Sequence, residues 1–195
     1  MNRRLFRKLE LWGGLVVFAI AAFLHFFYDL TGGSVLGTLL GSVNESVWEH
    51  MKIFSIAYVI YAAIEYLWAR PPFRAFVVAK TIGMYFLAIG IAVFYYTYTF
   101  FTGKPVLAVD LISGLVFSFL AHLVSLRIVS GTHNTARYYQ TAVILFLLAF
   151  AMILCFSYFP PKSELFRDVV TGTYGAIPSV PDEGAVFLDG HHHSS

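Results

Sequence analysis

Seven side chains in this 195-residue sequence combine a type that binds cations or moves protons with a suggestive spacing: His25, Asp29, Asn44, Glu45, Glu49, His50 and Asp110. His25 and Asp29 are four residues apart, so on one helix they would share a face. Asp29 could then accept the His25 ring N–H and orient it, or both could ligate one ion. Glu45 and Glu49 repeat the spacing, and Lys52 follows on the same face. His50 lies about 100° round the helix from Glu49 and shares its stripe with Ser46. This spacing predicts Glu45 and Glu49 pointing together and His50 facing a neighbouring surface. A shell of His25, Asp29, Glu49, His50 and Asp110 mixes imidazole with carboxylate. Such a shell suits Zn, Mn or Fe better than Cu(I), which prefers thiolate and thioether ligands. A purely structural role stands beside each reading. His25 and Asp29 could hold a helix end, Glu49 could pair with Lys52, and Glu45 and Asp110 could complement the positive end of a helix dipole.

The setting for these groups is apolar. Of the residues 58% are hydrophobic, 18% aromatic and 12% charged, against about 25% charged in a soluble domain. So few charges cannot coat a water-facing surface, which excludes a disordered chain and a basic nucleic-acid-binding face. The formal charge of +2 marks no polyanion partner, and the single Cys155 excludes a disulfide framework or a cysteine zinc site. An all-α integral membrane protein is expected, with the lipid bilayer as its surroundings and no nucleic acid as a partner.

Five stretches are long and apolar enough to span a bilayer, which takes about 20 residues: 11–29, 44–69, 76–100, 107–129 and 138–159. Arg70-Pro71-Pro72, Gly103-Lys104-Pro105, Ser130-Gly131 and Pro160-Pro161 break them, because proline and glycine end helices. Ser42 and Glu45 form a candidate capping box for the second span. Arg3, Arg4, Arg7, Lys8, Arg70, Arg74, Arg127 and Arg137 all fall on one side of such a bundle. The positive-inside rule makes that side cytoplasmic, with the N-terminus inside and the C-terminus outside a cell (plasma) membrane. His25, Asp29, Glu45, Glu49, His50 and Asp110 then gather at the outer end. The segment 30–43 is uncharged, rich in glycine and too short to span. It reads either as a re-entrant loop buried against protein or as a hairpin turn in the headgroups. The division expected is a five-helix domain over 1–161, an ordered outer tail over 162–176, and a disordered tail or tag over 177–195.

Three more ionisable groups sit within the spans. His122 lies about 18 Å along the fourth helix from Asp110, too far for a shared shell, and is expected to be neutral, packed and hydrogen-bonded, with a proton relay as the alternative. Glu65 is expected to pair with Arg70 at the inner surface, and Lys80 to snorkel there. Four functional classes fit this pattern: a divalent-metal or proton site, an ion- or proton-coupled transporter, an accessory subunit docking a partner membrane protein or a second copy, and a metal-dependent hydrolase of a lipid-type substrate. The last is the weakest, because no second histidine completes an HExxH arrangement around Glu49-His50.

The run Asn44-Glu45-Ser46-Val47-Trp48-Glu49-His50-Met51-Lys52 resembles the signature of an uncharacterised, domain-of-unknown-function family of small prokaryotic multipass membrane proteins. The resemblance extends to the His25/Asp29 step, to Val109-Asp110, and to Tyr158-Phe159-Pro160-Pro161 through Leu165-Phe166-Arg167-Asp168 and Thr171-Gly172-Thr173-Tyr174-Gly175. Val169 stands where the family pattern has proline, and the tail after Ala176 has no counterpart. The resemblance implies a membrane location and a five-helix plan, and no activity.

Overall fold

The computed structural model describes residues 2–131 and 134–176; the tail or tag expected over 177–195 lies outside them. The helices are α1 (Arg3–His25), α2 (Phe27–Leu30), α3 (Val35–Leu40), α4 (Val47–Ala69), α5 (Phe73–Thr102), α6 (Leu107–Ser130) and α7 (Tyr139–Tyr158). Five of these elements are long and apolar enough to cross a membrane, as hydropathy predicts. No β-strand occurs among the described residues.

The breaks follow the local chemistry. Arg70 takes a left-handed conformation, φ 45°, and ends α4 with its N–H on the Tyr66 carbonyl. Pro71 and Pro72 cannot continue the helix, and α5 begins at Phe73. Gly103, φ 70°, ends α5 in the same way.

Two boundaries differ from the sequence expectation. α1 starts at Arg3 rather than near residue 11, because the Asn2 side chain caps it by accepting from the Leu5 N–H at 3.1 Å. Its first turns bury Phe6 and Glu10 and leave Arg3, Arg4, Arg7 and Lys8 exposed. At the other end the helix tightens at Phe26, whose N–H reaches the Phe23 carbonyl, so Asp29 falls on the separate α2. The second difference is the start of α4. Its cap is Ser46, whose hydroxyl accepts from the Glu49 N–H at 3.3 Å, and not Ser42. Ser42 instead donates to the Asn44 carbonyl at 2.7 Å.

α1, α4, α5 and α6 form a ring in which each helix packs on two neighbours, and α7 packs on the outside of α5. The ring interior is filled by Val17, Leu24, Ala57, Tyr58, Leu87 and Ala121, among others. α7 leaves Ile144, Leu147, Leu148 and Phe150 exposed, an apolar exterior that suits lipid. The end of the bundle carrying the N-terminus and the arginines is called the basic end below, and the opposite one the far end.

At the far end, segment 30–43 turns through Gly32 and Gly33, both at positive φ, and folds α3 back over the helix ends. Gly41 is required there: a Cβ would lie 2.7 Å from the Tyr28 nitrogen. The chain after α7 also returns to this end. Phe166 is inserted beside Trp48 and Phe156, with ring centroids 4.9 and 5.2 Å away. Asp168 is buried and organises the last turn, accepting from the Val170 N–H at 2.8 Å and the Thr171 hydroxyl at 2.9 Å.

Candidate metal centre

His25, Glu45 and His50 come together at the far end from three separate elements. His25 is the last residue of α1, Glu45 lies in the loop before α4, and His50 is in the first turn of α4. One ligand atom from each lies within 4.8 Å of the other two. His25 Nε2 is 3.2 Å from Glu45 Oε1, and His50 Nε2 is 3.7 Å from Glu45 Oε2. The two rings sit 5.5 Å apart, centroid to centroid.

The supporting bonds fix these positions. His50 Nδ1 is 2.9 Å from the Ser46 carbonyl. A carbonyl only accepts, so Nδ1 carries a proton, and Nε2 is the nitrogen turned toward Glu45. Asn44 holds the loop and takes no part in the shell. Its Oδ1 accepts from the Ser46 N–H at 2.9 Å and its Nδ2 donates to the Gly175 carbonyl at 3.0 Å. The His25 ring beside Glu45 holds that carboxyl below the usual carboxylate range, with His50 adding to the effect and partial burial opposing it.

The remaining candidates are placed elsewhere. Glu49 does not point with Glu45, because α4 begins at Val47 and Glu45 is not on it. Glu49 is buried, 2.7 Å from Lys52 Nζ, and accepts from the Val43 N–H at 2.9 Å. Lys52 in turn donates to the Thr38 carbonyl at 2.9 Å, so the pair clasps the 30–43 segment to α4. Asp29 is exposed on α2, outside the group. Asp110 opens α6 and accepts from the Tyr98 hydroxyl at 2.6 Å. It shares a cavity of about 110 Å³ with Glu45 and His50, walled by apolar groups such as Phe54 and Ile91. Asp110 therefore faces the centre without joining its three ligand atoms.

Two imidazoles and a carboxylate are a recognised divalent-metal shell. Three protein ligands of this kind leave one position of a tetrahedral site for water. The Nδ1–H bond of His50 to a carbonyl is the orienting contact that metal-bound histidines usually make.

A second group lies toward the basic end and departs from the sequence expectation. Lys80 does not snorkel to the surface, and Glu65 does not pair with Arg70. Lys80 forms ion pairs with both Glu65 and Glu10 inside the bundle. Glu10 drew no attention in the sequence because it follows a basic run that reads as a solvated tail. The Gly13-Gly14 pair one turn later was the available signal, since small residues mark close helix contact.

No curated protein and no solved structure matches the chain. One family model does, over residues 1–176, and its limit coincides with the last described residue of the docked tail. The chain belongs to the family of unknown function DUF6512.

Proposed function

We propose that the chain is an integral membrane protein that binds one divalent transition-metal ion, of the Zn, Mn or Fe class, on His25, Glu45 and His50. The observation that carries this is the convergence of three ligand atoms from three elements within 4.8 Å. Each imidazole turns Nε2 toward the shared carboxylate. The basic connections at the opposite end support an orientation with the N-terminus in the cytoplasm and the metal centre at the external face.

The small cavity beside the three ligand atoms supports binding over catalysis on a lipid-type substrate. The adjoining cavity holds about 110 Å³, whereas pockets for drug-sized ligands run to about 300–1,000 Å³. It takes waters or a short apolar group. Metal binding is therefore the activity we assign.

The test is metal analysis and zinc titration of detergent-purified protein, with His191, His192 and His193 substituted by alanine to remove the terminal histidines as competing ligands. About one ion per chain is expected, and His25→Ala or His50→Ala should lower affinity by about 10-fold or more. Protein that is purified free of metal and takes up no zinc would sink the proposal.

A further inference from the structure

Glu10, Glu65, Lys80 and His122 meet in the half of the bundle nearest the basic end. Glu10 and Glu65 are 1% and 0% exposed, Lys80 7% and His122 0%. Glu10 Oε2 is 3.1 Å from Lys80 Nζ, and Glu10 Oε1 accepts from the Ser125 hydroxyl at 2.6 Å. Glu65 also pairs with Lys80, and its Oε1 is buried with no hydrogen-bond partner. One ligand atom each of Glu10, Glu65 and His122 lies within 4.8 Å of the others. His122 Nδ1 is 2.9 Å from the Ser118 carbonyl, so it carries the ring proton. Its Nε2 is buried and has no hydrogen-bond partner.

The charges do not balance. Two carboxylates face one ammonium, and Lys80 is the ion-pair partner of both among the described residues. The other titratable groups packed here are Tyr58 and Tyr61 of α4. Their hydroxyls donate to the Ala121 and Leu9 carbonyls, which accounts for both as neutral phenols. α7 contributes no carboxylate and no histidine. One negative charge is left over in a site closed to water, and an uncompensated buried charge is strongly unfavourable. One proton cancels it. A divalent metal ion would not serve, because the Lys80 ammonium already stands between the carboxylates and would repel it.

We propose that Glu10, Glu65 and His122, gathered around Lys80, form a one-proton exchange site within the membrane-spanning bundle. The added proton rests on a carboxyl oxygen. Transfer to His122 Nε2, which has no hydrogen-bond partner in this structure, would first bring the carboxyl and the ring to hydrogen-bond distance; the O–H bond then breaks and an N–H bond forms, leaving a carboxylate beside an imidazolium. Lys80 lines a groove of about 370 Å³ between α4, α5 and α7, together with Tyr66, Phe73 and Tyr139. The site is separate from the metal centre: Glu65 lies about 22 Å along α4 from His50.

The test is infrared spectroscopy of the full-length protein in detergent at about pH 7, with glutamate carrying a carbon-13 label so that its carboxyl bands are identified by their shift. One protonated glutamate per chain is expected in the wild type. Glu10→Gln and Glu65→Gln each leave one carboxylate facing one ammonium, so the band should vanish in both and persist in Glu49→Gln. A nitrogen-15 signal from doubly protonated His122 in place of the carboxyl band would place the same proton on Nε2 and support the site equally. A wild type showing neither signal, which requires no variant to fold, would overturn the proposal. So would a band that survives both glutamine variants.

Discussion

Glu49 Oε2 lies 2.7 Å from Lys52 Nζ one turn along α4, with the two side chains 3% and 0% exposed. Because Lys52 also donates to the Thr38 carbonyl, this pair joins α4 to the segment that folds over the bundle end. Removing one partner strands the other charge, at a cost of about 3–5 kcal/mol for a buried pair. Glu49→Ala and Lys52→Met are each expected to lower the thermal midpoint in detergent, whereas the double variant Glu49→Leu/Lys52→Met should recover most of the loss. Single variants as stable as the wild type would show that water reaches the pair.

The helices were legible in the sequence because hydropathy and helix breakers act locally. Arg70-Pro71-Pro72 and Gly103 end α4 and α5 where backbone chemistry requires. The start of α4 was misread because Ser42 and Ser46 are both good caps with a glutamate three residues on. Choosing Ser46 moves Glu45 off the helix, separates it from Glu49 and turns it toward His25. Periodicity ranks the faces of one helix, but it carries no information on which loop carboxylate meets which helix end. The same limit hid the Glu10–Lys80–Glu65 contacts, whose members lie on three helices.

Metal affinity at His25, Glu45 and His50 should fall with pH in the histidine range. A metal ligand must be deprotonated, and free imidazole titrates near about 6.5. Glu45 does not itself titrate in this range. Its carboxyl is held below the usual range, with the His25 ring as the main cause, so it stays charged while the rings protonate. Its own contribution to stability is complete above the ordinary carboxylate value and disappears only as pH falls through the lower folded one. Zinc titrations between about pH 5.5 and 7.5 should therefore show weakening throughout. A midpoint confined to the carboxylate range would exclude the imidazoles as ligands.

Gly13→Ala tests the packing of His122. An added Cβ would collide with the ring at Nε2 and Cδ2 and stand 2.8 Å from Tyr61 Cε1. The ring has no space to yield, since Tyr58 and Tyr61 pack against it with centroids 4.8 and 5.5 Å away. Overpacking of this kind costs about 1–3 kcal/mol, read as a lower thermal midpoint. Zinc binding at the far end should not change, because His122 shares no contact with that centre. Unaltered stability would mean that α1 and α6 separate more easily than their packing implies.

Phe166→Ala should release the docked tail and, through it, loosen the proposed metal centre. The ring is 5% exposed against Trp48 and Phe156, and deleting a buried phenylalanine costs about 3–5 kcal/mol. Much of that cost falls on local docking rather than on the bundle, so trypsin should cut sooner after Lys162 and Arg167 while the global midpoint shifts less. The tail holds Asn44 through the Gly175 carbonyl at 3.0 Å, and Asn44 in turn fixes the Ser46 N–H beside Glu45. Loss of that support is expected to weaken zinc binding by about 10-fold, the lower end of the effect of removing a contact that orients a ligand. Asn44→Ala should reproduce the zinc defect with the Phe166 contacts intact. If Phe166→Ala accelerates cleavage and leaves zinc affinity unchanged, the tail is a cover for Trp48 and has no part in positioning Glu45.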